Sequence, residues 1–481
     1  MNNVAQMTSS IQQFLAHTSL RSATMSVVRS LIGGITATGS VVLSEVLRCQ
    51  VAKEDLHSAE QQVSHALKNE SALDQLPEAY LTHIAPVART LRFRSLDGSD
   101  VSKPASRKLE YLDVVRDGSA KPRVRVVVGP GGVRIQFVAR STPVDGVEGQ
   151  RPKVNRARRG TRPGRRGPRP PRPRTETRAQ ARQESKASRM KFPSSPALKK
   201  IGYWMIAIDA GDGMGNHLPL FQDLFSTMDP AYQVLGGNAW TMTFQRAMER
   251  VLKHVGRGGV WLLDRGFDDV VWMVWLHERV EQYLIRLKSN RYVHPGTRQE
   301  KAIKAGQLAE TLEAKHTTYI RYVDKSTHQE RLRPIRFAWA PIWIDGVNHP
   351  QYLIVAHTGR KRPLLIVTDV RPNSAEEAGA LIQAYLERWG NEEVTRACKQ
   401  LTGLEGFRVR SMVAMRRLLW CAMIAVGIQA LHILKRPQWR QGILGRAKEF
   451  IKRVRFVLYR IWRVVSEDVC HALKINPYVF T

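Results

Sequence analysis

The chain has 481 residues, enough for roughly two to four domains rather than a single core. Hydrophobic residues make up 43% of it, which excludes a wholly disordered chain, and 75 Lys and Arg against 42 Asp and Glu leave a net charge of +33. That excess is larger than solubility calls for and points to a polyanion as partner, because cations that neutralise phosphates release counterions.

Residues 1–85 carry apolar residues at helical spacing in SIQQFLAHTSL, MSVVRSLI and SVVLSEVLRCQVA. They predict a small helical region, either a DNA-binding module or a packing bundle. The first residues have neither a charged leader nor a long apolar run, so no secretory signal is expected. A strand-like segment, TLRFRSLDGSD, then carries Asp97 near its end. RKLEYLDVVRDGS follows, with Asp100 expected in the turn between them.

Composition changes sharply over 121–199. Residues 151–200 hold 18 Lys or Arg and 2 acids. A segment of this kind, rich in Arg, Pro and Gly, cannot bury apolar surface and is expected to be disordered, serving as an electrostatic tether or a spacer.

Order returns with the strands IGYWMIAIDAG and HLPLFQDLF, the helix NAWTMTFQRAMERVLKHV and the buried strand GGVWLLDRG, which ends on Asp264. DVVWMVWLHERVEQ reads as a helix, with Asp268 at its start, and YLIRLKS as a strand. Over 289–370 the pieces TTYIRYV, IRFAWAPIWI, QYLIVAHT and PLLIVTDV predict a β-rich insertion. A long helix over 371–402 starts at Ser374, where SAEE fits a capping box with Glu377. Residues 403–481 predict a helical region. Its stretch Leu418–Leu434 is uncharged but short for a membrane span and contains Gln429 and His432, so it reads as a buried helix.

Cys49, Cys398, Cys421 and Cys470 form no CxxC pair and no zinc-like cluster with histidine, and read as reduced core thiols of a cytosolic protein. No phosphate-binding loop or dinucleotide fingerprint is present.

The sharpest feature is YLERWGNEEVTRACK, which holds Tyr385, Arg388, Glu392 and Lys399. On a continuous helix these four fall within about 60° of one another. Such a face presents one carboxylate, two cations and a phenol. The set suits a metal bound beside phosphates, though an ordinary salt-bridging helix face has the same make-up.

The spacing resembles the Tyr-Arg-Glu-Lys signature of DDE transposases from bacterial insertion sequences. DGSDVSKP with LEYLDVVRDGS looks like that family's first-aspartate region, VWLLDRGF like its second, and RLKSNR stands before the β insertion as in relatives. The resemblance implies an RNase H-like core, a mixed five-stranded sheet with helices, built from 86–120 and 200–288 plus the helix of 371–402. It implies Asp97, Asp264 and Glu392 as catalytic ligands of Mg²⁺, with Mn²⁺ able to substitute. It implies that Tyr385, Arg388 and Lys399 engage transposon-end DNA, with Tyr385 touching the strand or supporting its bend. It further implies double-stranded DNA ends and target as partners, a synaptic homodimer, and a cytoplasmic, nucleoid-associated bacterial protein. In the family, metal-assisted hydrolysis frees a 3′-hydroxyl that then attacks again. In relatives an aromatic of the β insertion, here Trp339 or Trp343, can stack on a base turned out of the duplex; an inward-facing tryptophan is the plainer reading.

Asp209, in YWMIAIDAGD, ends a more apolar strand than Asp97 does. An RNase H core nevertheless needs three strands before its first helix, and starting from Asp209 leaves one too few. Arg92 and Arg94 depart from the usual apolar first strand. The basic insert also interrupts the core between two neighbouring strands, so a decayed or repressor-like DNA-binding protein is the rival reading, beside a structure-selective nuclease on the same fold. The enzymatic reading requires the three carboxyl groups to meet.

Overall fold

The computed structural model describes residues 3–103, 106, 108–116, 123–129, 132–138, 199–213, 216–323, 330–436, 438, 441 and 457–475. The chain opens with helices α1 (Asn3–Leu15), α2 (Ser22–Thr38), α3 (Leu43–Arg48), α4 (Leu56–Asn69) and α5 (Leu76–Ala88). Next come β1 (Phe93–Ser102), β2 (Asp113–Arg116), β3 (Arg123–Gly129), β4 (Gly132–Val138), β5 (Lys199–Gly211) and β6 (His217–Phe225). They lead to α6 (Ala239–Val255), β7 (Val260–Leu263), α7 (Val270–His277) and β8 (Gln282–Arg286). Then follow β9 (Tyr292–Pro295), β10 (Ile303–Lys304), α8 (Ala305–Thr311), β11 (His316–Val323), β12 (Glu330–Trp343), β13 (Gln351–His357) and β14 (Leu364–Thr368). Helices α9 (Ala375–Glu387), α10 (Trp389–Leu401), α11 (Met412–Lys435) and α12 (Val457–Ile475) come last.

β1, β5 and β6 form an antiparallel meander, and β7 and β8 run parallel to β1 on its other side. The local order is β6-β5-β1-β7-β8, with α6 following the third strand. VWLL of β7 is buried on both faces, as a strand between parallel neighbours with helices above and below must be. In α6, Phe244, Ala247, Met248, Val251, Leu252 and Val255 recur at helical spacing and are buried, and Gly256 stops the helix at φ 88°.

Several expectations change. Residues 289–370 are rich in strands, and these extend the core sheet. β14 pairs antiparallel with β8, so the strands of this region continue the same sheet in the order β8-β14-β13-β12-β9-β10, with β11 on β12. β14 thereby covers backbone donors and acceptors that β8 would otherwise present at an open edge. Asp100 lies within β1, opposite Trp204, rather than in a turn. LDVVRDGS supplies β2, which pairs with the start of β5. Within 121–199, where disorder was expected, β3 and β4 pair as a hairpin from Arg123↔Val138 to Gly129↔Gly132; apart from these and Lys199, that segment lies outside the described residues.

The N-terminal helices are not an independent body. They share one hydrophobic core with α11, α12 and the β5–β6 face. The Tyr80 hydroxyl donates to the Pro219 carbonyl of β6 at 2.6 Å, and the buried Arg417 of α11 binds Asp74 at 2.9 Å. Helix α11 is long and apolar enough to cross a membrane, but it is buried nearly all round inside this core, as the uncharged stretch predicted.

Candidate active site

Parallel pairing fixes the first two carboxylates. Leu96 of β1 stands opposite Leu263 of β7, so Asp97 and Asp264 follow side by side at the carboxyl end of β7. Asp97 Oδ1 accepts from Gly98 N–H at 2.9 Å. Asp264 Oδ1 accepts from Gly266 N–H at 2.6 Å and so caps the next turn. Asp264 therefore caps the next turn while standing beside Asp97.

The helix bearing the third carboxylate starts as expected at one end and differs in its middle. The Ser374 hydroxyl accepts from Glu377 N–H at 3.2 Å, while Glu377 Oε2 reaches back to Asn373 N–H at 2.9 Å, one residue before the expected position. The helix is interrupted at Arg388, which ends α9 and precedes α10; Arg388 N–H bonds to Tyr385 and Asn391 N–H to Arg388, both three residues back. The interruption sits where α10 comes close to β6. A Cβ on Gly390 would lie 1.8 Å from His217 Nε2.

Arg388 is buried amid charge. Its Nη2 lies 3.2 Å from Glu392 Oε1. Burial opposes its charge, but the neighbouring Tyr385, Asp97, Asp264 and Glu392 together raise its pKa. Asp97 shows the complementary effect. Burial pushes its carboxyl up to about 7 against the pull of Arg388, and Asp264 and Glu392 add to the rise. The structure therefore brings Asp97, Asp264, Glu392 and Arg388 within electrostatic reach of one another. The three carboxylates form a loose set, with Glu392 drawn to Arg388. Among the described residues, the grouping of metal-type donors all within 4.8 Å of one another lies elsewhere, at His277, His349 and Asp369.

Tyr385 and Lys399 are turned toward the protein. Tyr385 is buried, and its hydroxyl donates to the Leu263 carbonyl at 3.2 Å. Burial pushes the phenol up to about 12. Its observed contact is with the end of β7, not with the surface. Lys399 Nζ donates to Ser99 Oγ at 2.8 Å and to the Asp100 carbonyl, tying α10 to the far half of β1. Burial lowers its pKa, opposed by Asp100, Glu405 and Asp97.

Sequence reading missed three supporting pairs. Arg94 is buried and bonds to the buried Glu281 at 3.0 Å, which also accepts from Trp261 Nε1 and Gly258 N–H, each at 2.8 Å. Asp268 does not start a helix; Asp269 caps α7 instead. Asp268 is buried and holds Lys288 N–H at 2.8 Å and the Arg291 guanidinium at 2.8 Å, so it anchors the RLKSNR segment. Asp209, the rejected first aspartate, is buried against His217 Nδ1 at 2.7 Å. The separation of these residues in sequence left no spacing to read. Trp339 and Trp343 are half-buried. Trp339 packs with His316 and Phe337, and Trp343 donates to the Gly296 carbonyl beneath the Arg298 guanidinium.

No curated protein sequence matches the chain. Residues 236–428 match the family model described as the transposase DDE domain, a stretch that contains Asp264, Tyr385, Arg388, Glu392 and Lys399 and begins after Asp97, and over it the chain is similar to DDE transposases.

Proposed function

We propose that this protein is a transposase that cuts DNA at the ends of a mobile element and joins those ends to a target, with Asp97, Asp264 and Glu392 as its catalytic carboxylates. The observation that carries the proposal is the pairing that sets Asp97 beside Asp264, with Glu392 and Arg388 facing them from the α9–α10 junction. The β6-β5-β1-β7-β8 order, antiparallel then parallel, supports an RNase H-like core with the first acid on the first strand. It also supports Asp97 over Asp209, since β1, β5 and β6 then supply the three meander strands before α6.

The donors suit a hard divalent cation. Asp97 and Asp264 stand side by side with Glu392 within electrostatic reach of Asp97, a looser set than an ion would draw together, and the Asp97 carboxyl is hard to ionise there without added positive charge. Asp97, Asp264 and Glu392 would hold Mg²⁺ or Mn²⁺, which supplies Lewis-acid stabilisation of the oxygens at a phosphodiester under attack. Arg388 sits among the carboxylates and offsets their charge before substrate arrives. In this reading Arg388 and Lys399 turn toward transposon-end phosphates when DNA enters, and Tyr385 supports the strand end that carries Asp264. The net charge of +33 supports binding along double-stranded DNA, and pairing of two ends calls for two copies of the chain.

The test is end cleavage by Asp264→Asn and Glu392→Gln proteins. Both are expected to lose Mg²⁺-dependent cleavage and keep DNA affinity. Cleavage at the wild-type rate by either variant would remove its residue from the proposed set.

A further inference from the structure

A second donor set lies on the β8–β14 side of the sheet. His277 ends α7, His349 sits between β12 and β13, and Asp369 follows β14. The His277 and His349 rings stack with centroids 3.5 Å apart and planes inclined by 12°. His277 Nδ1 is 3.8 Å from Asp369 Oδ2, and one donor atom from each residue lies within 4.8 Å of the others.

Tyr283 of β8 orients two of the three. Its hydroxyl bonds to His349 Nε2 at 3.1 Å, and its backbone N–H donates to Asp369 Oδ1 at 3.1 Å. That leaves Nδ1 of His349 and Oδ2 of Asp369 as the donors on offer. Outer-sphere contacts of this kind fix a metal ligand's tautomer and direction.

We propose that His277, His349 and Asp369 bind a divalent transition-metal ion of the zinc or cobalt class. The 3.8 Å gap between His277 and Asp369 is too long for a hydrogen bond. It is close to the spacing of about 3.3 Å that two donors take on a four-coordinate ion with bonds of about 2.0–2.1 Å. The two ring planes are nearly parallel, so the half-exposed His277 ring must turn out of the stack to bring both in-plane lone pairs onto one ion. Two imidazoles with one carboxylate favour zinc-class ions over magnesium, which prefers oxygen donors. The half-exposed His277 side chain gives the ion a path in and leaves room for water as a further ligand. None of these residues belongs to the Asp97, Asp264 and Glu392 set. Tyr283 pairs with Trp261, three residues before Asp264 on β7.

Titration of the full-length protein with Co²⁺ alone tests the proposal, read by visible d–d absorption and by thermal melting. About one equivalent is expected to give absorption of a nitrogen-ligated, low-coordinate ion and to raise Tm. His349→Ala and Asp369→Asn should remove both responses. His277→Ala, at a half-exposed helix end that tolerates truncation, should remove the absorption while the protein stays folded. Tyr283→Phe should weaken binding roughly 10- to 100-fold. Asp264→Asn should leave the signal intact, which separates this site from the carboxylate set. Absence of such absorption in the wild type, or its survival in His277→Ala, overturns the proposal.

Discussion

The Tyr385 hydroxyl donates to the carbonyl of Leu263, the residue immediately before Asp264. A phenol from α9 thus fixes the last peptide of β7, where the strand hands Asp264 to the following turn. Tyr385→Phe removes that bond and leaves the ring packed. The expected cost is about 1 kcal/mol of stability, a typical value for a buried neutral hydrogen bond. Cleavage should fall while affinity for end DNA stays unchanged, because the hydroxyl faces the protein. Comparing binding and cleavage of this variant decides the point. Weaker DNA binding with normal cleavage would instead mean that the phenol contacts the strand.

The elevated carboxyl of Asp97 makes both stability and metal binding depend on pH. An acid raised from 3.8 to about 7 holds its proton in the folded chain where the unfolded chain has lost it. Its contribution to stability is complete below about pH 4 and is lost as pH rises through about 7. A divalent cation competes for the same oxygens, so Mg²⁺ should protect better at pH 8 than at pH 6. Thermal melts with and without Mg²⁺ at the two pH values, on wild type and Asp97→Asn, test this. The variant should lose both the metal-free slope and the pH-dependent Mg²⁺ protection. An Mg²⁺ effect independent of pH in the wild type would place the cation away from Asp97.

Glu281 neutralises Arg94, one of the two arginines that make the start of β1 look unlike a core strand. Arg94 is buried with its guanidinium on Glu281 and over the Trp261 ring. Removing the acid alone leaves a buried cation, so Glu281→Ala should destabilise by roughly 3–5 kcal/mol. Replacing both partners with hydrophobic residues of similar volume should recover most of that loss. Chemical denaturation of the single and double variants measures the difference. Equal losses in both would show that the contact matters for packing and not for charge.

The same pair shows what could be read from sequence. Elements with strong local patterns, such as VWLLDRGF and the amphipathic α6, were legible because burial imposes a period on them. The order of strands was legible once three had to precede α6. Arg94 appeared as a defect because its partner lies 187 residues away, and no period or spacing connects the two. Finding that partner explains how Arg94 fits within a core strand. The continuity of 289–370 with the main sheet was hidden for a similar reason: strand patterning gives the face that is buried but not the neighbour that is paired. The break at Arg388 was not expected, although the poor helix formers Gly390 and Asn391 follow it, and it coincides with the close approach of α10 to His217.

That contact yields the most specific structural prediction. Glycine inside a helix ordinarily costs about 1 kcal/mol relative to alanine, so Gly390→Ala should stabilise an isolated α10. Here the added methyl would lie 1.8 Å from His217 Nε2, and His217 is held from behind by Asp209 at 2.7 Å. Neither His217 nor Asp209 can yield easily, since both are buried. The methyl must therefore push α10 outward and carry Glu392, two residues on, away from Asp97 and Asp264. Gly390→Ala is expected to lower Tm and to reduce cleavage strongly. Gly390→Ala combined with His217→Ala, which clears the space, should restore the position of α10 and much of the activity. Helicity and cleavage measured on the pair distinguish this from a general intolerance of the site: if the double variant is no better than the single, the close approach of α10 to His217 is not what the glycine serves.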